Sequence, residues 1–114
     1  MKRDLTVYLN DILESIELIQ GYVKGVSEAE YCKNQQLQDS VVRRLEIIGE
    51  AVKQVDDAFR SKYPKVPWKK IAGLRDVLIH EYFGVNPFRV WATLKNDLPQ
   101  LKKDIKTIIT QKNS

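Results

Sequence analysis

A permanent cation, a carboxylate, an imidazole and a phenol fall within eight consecutive residues, Arg75-Asp76-Val77-Leu78-Ile79-His80-Glu81-Tyr82. Held within or at the end of one helix, Arg75, His80 and Tyr82 stand within about one to two turns of each other. Phosphodiester chemistry calls for these groups. A guanidinium neutralises phosphate charge with a planar fork of donors. An imidazole gives and takes protons near neutrality, and His80 is the only histidine of the chain. Asp76 precedes His80 by four residues, the spacing at which side chains meet on a helix, so its carboxylate can orient the ring.

The helix that carries this set must start after Tyr63-Pro64-Lys65-Val66-Pro67, because proline is tolerated in the first turn and not inside. Pro67 or Trp68 opens it and Gly84 ends it. Upstream, Leu5, Leu9, Ile12, Ile16, Ile19 and Val23 alternate steps of three and four, which predicts a one-sided helix. Gly21 and Gly25 weaken its end, and Ser27-Glu28-Ala29-Glu30 is a capping-box signal for a short turn. Asn34 can open the next helix. The stripe Leu37, Val41, Leu45, Ile48, Val52, Val55 and Phe59 predicts one long helix, antiparallel to the first. Downstream, Asn86-Pro87 reads as a cap followed by a first-turn proline. Trp91, Leu94, Leu98, Leu101, Ile105 and Ile108 then stay in phase through Pro99. That predicts two nearly collinear helices with a kink or restart at Asp97-Leu98-Pro99. Lys112, Asn113 and Ser114 should fray. With no alternating strand pattern and no repeat, the expected fold is a single all-α domain over residues 1–114, an up-and-down bundle of four to five helices.

Each site residue has a bland reading beside the chemical one. Arg75 shares a face with Trp68, Ile71, Leu78 and Tyr82, an otherwise apolar seam. A charge there needs a partner. Either Glu46 or Glu50 of the long helix pairs with it, or the seam opens into a cleft where the guanidinium meets phosphate. His80 lies roughly 140° around a straight helix from Arg75. Either the helix distorts before Gly84, or the long arginine stem reaches around, or the site is composite; a surface or capping role is the plain alternative. Tyr82 is either a core-edge aromatic or a modifiable hydroxyl. Cys32, the one cysteine, reads as a small packing residue, and with one Cys and one His no metal site or other cofactor is expected.

The net charge of +4 hides an asymmetry. Residues 1–57 hold 7 basic and 11 acidic side chains, or −4, and residues 58–114 hold 12 and 4, or +8. The motif lies in the basic half, which favours an acidic partner such as RNA. Lys69, Lys70 and Arg89 are candidates for positioning phosphates, whereas Lys102, Lys103, Lys106 and Lys112 read as the solvated face of the last helix. The N-terminus has no signal-peptide-like apolar stretch and no apolar run approaches a membrane span, so the expected setting is cytoplasmic, with no membrane partner.

The spacing Arg-x4-His-x-Tyr, together with Arg43-Arg44-Leu45-Glu46-Ile47-Ile48-Gly49-Glu50-Ala51, Tyr63-Pro64-Lys65-Val66-Pro67-Trp68, Ile71-Ala72-Gly73-Leu74-Arg75, His80-Glu81-Tyr82-Phe83-Gly84-Val85, Val90-Trp91 and Asp97-Leu98-Pro99, resembles the HEPN superfamily of small helical ribonucleases, most closely its HepT toxin branch. The resemblance implies a metal-independent endoribonuclease toxin of a type VII toxin–antitoxin pair. In it Arg75 and His80 are catalytic, Asp76 orients His80, and two copies form a homodimer whose motifs line one cleft. It implies that a cognate MntA-like minimal nucleotidyltransferase antitoxin adenylylates Tyr82. Asp76 departs from the asparagine of many relatives and brings negative charge to a phosphate site. The second reading is a non-catalytic nucleotide- or partner-binding subunit of a nucleotidyltransferase complex. A purely structural helical dimer is the third.

Overall fold

In the computed structural model the chain is described over residues 4–80 and 86–112, apart from the side chains of 75–80. Those residues form seven α-helices and no strand. Five are ten or more residues long, as the bundle expectation requires, and two are short connectors.

Helix α1, Leu5–Tyr22, starts where the Asp4 carboxylate accepts the Thr6 amide at 2.8 Å. Its stripe of Leu9, Ile12, Ile16 and Ile19 is fully buried. Helix α2, Glu28–Lys33, opens with the expected capping box, the Ser27 hydroxyl and the Glu30 carboxylate each accepting the other residue's amide at 3.1 Å. Asn34 caps α3, Gln35–Lys53, accepting the Leu37 amide at 3.0 Å. Val41, Leu45, Ile48 and Val52 of α3 bury against the α1 stripe. Each such aliphatic contributes roughly 1.5–3 kcal/mol on leaving water, so this pairing forms the spine of the domain. Tyr31 of α2 is buried with its ring 5.4 Å from that of Trp91, which ties the connector to the later helices.

The long second helix does not continue through Phe59. It ends at Lys53, and a separate α4 runs Asp57–Lys62. Two polar groups set the break. The Asp56 carboxylate caps α4, accepting the Phe59 amide at 2.8 Å. The Arg60 guanidinium turns back to close the end of α3, donating to the Val55 carbonyl at 2.9 Å and the Val52 carbonyl at 2.7 Å. Val55 and Phe59 remain buried, so the hydrophobic phase survives a chain break that it does not reveal.

Helix α5, Trp68–His80, lies along α3. Helix α6, Pro87–Asn96, is capped by Asn86, with its proline in the first turn as expected. After Asp97, α7 runs Leu98–Lys112, so the restart at Pro99 is present. Leu98, Leu101, Ile105 and Ile108 are buried, and α7 packs on both α1 and α6. No helix among the described residues is long and apolar enough to cross a membrane.

Candidate functional site

The site is positioned by the start of α5. Val66 and Trp68 are both buried, and the Trp68 indole N–H donates to the Tyr63 carbonyl at 3.0 Å. The Trp68 amide bonds the Val66 carbonyl at 2.8 Å and the Ile71 amide bonds the Pro67 carbonyl at 3.1 Å. The prolines of the Tyr63–Trp68 segment thus end one helix and launch another, and the anchored indole fixes the rotation of α5. Ile71, Ala72 and Leu74 then pack on the core.

The backbone of α5 is helical through His80 and contains Arg75, Asp76 and His80. Five residues of regular helix separate Arg75 from His80 by about 7.5 Å along the axis and roughly 140° around it. The same geometry puts Asp76 about 40° from His80, on its side of the helix. The backbone therefore groups Asp76 with His80 and sets Arg75 apart. The side-chain contacts of Arg75, Asp76 and His80, the position of Tyr82 and the end of the motif helix near Gly84 lie outside the described residues. Of the carboxylates proposed to meet Arg75, Glu46 is paired with Arg43 at 3.7 Å and Glu50 is exposed.

The two neighbouring lysines part company. Lys69 is exposed and lies on the His80 side of α5, whereas Lys70 is turned about 100° away and meets Asp97 at 3.6 Å. Lys70 lies at a cavity of about 340 Å³ between α5, α3 and the α6–α7 junction, with Ile48, Ile71, Leu74 and Leu101 in its apolar lining. Arg89 is exposed in the first turn of α6. Beside it Phe88 is 55% exposed, the most exposed large apolar side chain among the described residues. An exposed ring next to a cation can stack a base while the cation holds phosphate. The sequence pattern did not single out Phe88, since nothing in its spacing distinguishes it from the core aromatics.

Other cations of the basic half are occupied within the fold. Arg60 caps α3, Lys95 lies 4.7 Å from the centre of the Trp91 ring, and Lys102 donates to Gln20 of α1 at 3.0 Å. Lys102 is thus half-buried and bridging, in contrast to the exposed Lys103, Lys106 and Lys112. The excess positive charge is less available to a polyanion than its count suggests. Cys32 packs against the core, and burial, assisted by the nearby Glu28 charge, raises its thiol above the ordinary value, the opposite of what a nucleophile needs.

Residues 12–108 match the family model described as "Ribonuclease HepT-like". The chain is 50% identical over 102 residues to a "Putative RNase" of Caldanaerobacter subterraneus, covering 90% of this chain and 91% of that protein. It is 43% identical over 102 residues to a "Probable ribonuclease HepT" of Thermococcus cleftensis, covering 90% and 93%. A third relative, the "Gamma-glutamylcyclotransferase and putative RNase" of Methanocaldococcus jannaschii, is 48% identical over 111 residues. This chain is covered over 97% of its length there but spans only 50% of that longer protein. No solved structure matches.

Proposed function

We propose, from the premise that this chain belongs to the HepT-like ribonuclease family, that it is the toxin of a toxin–antitoxin pair and cleaves RNA without a metal ion. The observation that carries the proposal is a continuous α5 with Arg75, Asp76 and His80 at fixed register, inside a family match over residues 12–108.

The reaction is an internal transphosphorylation. His80 takes the proton from an RNA 2′-hydroxyl as that oxygen attacks the adjacent phosphorus. The bond from phosphorus to the 5′-oxygen breaks, and that oxygen receives a proton from a histidine in acid form. The products are a 2′,3′-cyclic phosphate and a 5′-hydroxyl. Arg75 stabilises the charge that gathers on the phosphoryl oxygens in the transition state, the kind of preorganised electrostatics that usually supplies the largest rate term. Asp76, one turn before His80, holds the imidazole in its working orientation. The roughly 140° between Arg75 and His80 on one straight helix supports a composite site, in which the motifs of a homodimer line one cleft. Lys69 and Arg89 position phosphates at its margins. Lys70, engaged with Asp97, has the weaker case. Tyr82 contributes to RNA binding and is the residue that an MntA-like minimal nucleotidyltransferase adenylylates to silence the toxin.

One observation favours a second reading, a non-catalytic nucleotide- or partner-binding subunit. Asp76 places a negative charge beside His80, where a substrate phosphate must come. Incubating purified protein with RNA in EDTA separates the two. Cleavage is expected in wild type, with a loss on the order of 10²–10⁴ in His80→Ala at unchanged helicity. Arg75→Lys should be nearly as damaging, because lysine keeps the charge and loses the fork. Full activity in either variant supports the binding reading.

A further inference from the structure

Of the four glycines among the described residues, Gly49 is buried within α3, and Gly21, Gly25 and Gly73 differ in what they do. Gly25 has φ 74°, a left-handed conformation that follows α1 and suits glycine. Gly21 stands in the last turn of α1, where a weak helix former helps the helix to end. Gly73 has neither reason. It is the sixth residue of the thirteen-residue α5. Apart from proline, no residue type weakens a helix interior more. A Cβ placed at Gly73 meets no heavy atom within 4 Å among the described residues. Alanine would strengthen the motif helix and touch no described residue. Gly73 is half-buried, and no packing among the described residues explains its bare backbone.

Its register gives the explanation. Lys69, Gly73, Asp76 and His80 follow one another at steps of four, three and four, and regular helix geometry holds them within about 60° of arc. The buried Trp68 and the core-packed Ile71 and Leu74 belong to the rest of the circumference. Lys69 is exposed at one end of this strip, and His80 stands at the other, about 16 Å along the axis. A strip that long accommodates a few nucleotides of an extended strand.

We infer that Gly73 is a steric notch in which the sugar–phosphate backbone of single-stranded RNA makes its closest approach to α5, between a phosphate held at Lys69 and the 2′-hydroxyl presented to His80. The missing side chain lets the strand lie against the helix; a methyl group would lift it and misplace the reacting atoms. The inference rests on the ribonuclease reading of His80 given above. It makes Gly73 a positioning residue and defines a substrate class, an unpaired RNA strand, since a duplex offers its backbone only as a rigid pair.

The test uses the intact chain as wild type, Gly73→Ala and Gly73→Leu. The readouts are thermal denaturation, oligomeric state by light scattering, affinity for a fluorescent 2′-O-methyl RNA of mixed unstructured sequence, and cleavage of the unmodified RNA. Gly73→Ala should raise Tm by a few degrees, because it strengthens a helix interior and meets no described neighbour. It should leave the oligomer unchanged and weaken RNA binding about tenfold. Cleavage should fall by on the order of 10²-fold, the typical cost of misplacing reacting groups by an ångström. Gly73→Leu should lose both binding and cleavage. Wild-type binding and cleavage in Gly73→Ala and Gly73→Leu would overturn the notch and leave the ribonuclease reading standing. Dissociation of an oligomer in step with the loss of RNA binding would also overturn it, by assigning the bare face to a second copy of the chain. A fall in Tm for Gly73→Ala would remove its premise. Absence of cleavage and binding in wild type would sink the ribonuclease reading, and this inference with it.

Discussion

Replacing Arg60 by alanine tests how the break between α3 and α4 is held. Arg60 is half-buried and makes two hydrogen bonds with a charged donor, to the carbonyls of Val55 at 2.9 Å and Val52 at 2.7 Å. Val52 is in the last turn of α3 and Val55 lies just past it, where a cation also meets the negative end of the helix dipole. Hydrogen bonds to charged groups are worth about 1.5–3 kcal/mol each when buried. Partial exposure lets water replace some of this, so we expect a combined loss of about 2 kcal/mol. For a domain of this size 1 kcal/mol moves Tm by about 4–6 °C, giving a fall of about 8–12 °C. Thermal and urea denaturation followed by circular dichroism measure it. Arg60→Met keeps the apolar stem and should lose nearly as much as alanine. Arg60→Lys, with a single donor group, should lose about half. A change below about 0.5 kcal/mol in Arg60→Ala would refute the argument that this side chain closes α3.

The Tyr31 hydroxyl is buried and has no hydrogen-bond partner among the described residues, so Tyr31→Phe should stabilise the protein by about 1 kcal/mol in urea denaturation. Burial holds that phenol well above its ordinary value of 10.0. The unfolded chain therefore releases the proton first: the phenol's contribution is whole below about pH 10 and is lost as pH rises toward the folded value, a dependence that Tyr31→Phe should remove. Lys70 and Asp97 are 71% and 46% exposed at 3.6 Å, so a double-mutant cycle should give a coupling below about 1 kcal/mol that vanishes in high salt. A cognate nucleotidyltransferase with ATP and Mg²⁺ should add AMP to Tyr82, read as an intact-mass increase absent in Tyr82→Phe. Equal increases in both proteins would move the modification elsewhere.

Much of the fold is written locally. Ser27 with Glu30, Asn34, and Asn86 with Pro87 are caps whose chemistry acts within one turn, so their sequence reading and their hydrogen bonds agree. The break between α3 and α4 was hidden because Val52, Val55 and Phe59 keep their hydrophobic phase across it. The decisive signals were polar. Asp56 stands three residues before Phe59, and Arg60 serves a helix to which it does not belong. At the site, residue types announce the chemistry, whereas neighbours in sequence do not share a face. Lys69 and Lys70 look like one basic pair, but one turn geometry sends Lys69 toward the His80 side and Lys70 to Asp97. The exposure of Phe88 depends on which side of α6 the core takes, and a single-chain pattern with aromatics on several faces does not decide that.

The most direct test of the ribonuclease account is the chemistry of the product ends. Purified wild-type protein is incubated in EDTA with an RNA oligonucleotide and with the same oligonucleotide bearing 2′-deoxy sugars. The account predicts cleavage of the RNA alone, with 2′,3′-cyclic phosphate and 5′-hydroxyl ends by mass spectrometry, and none in His80→Ala. Cleavage of the 2′-deoxy strand, cleavage that disappears in EDTA, or intact RNA with wild-type protein would contradict it.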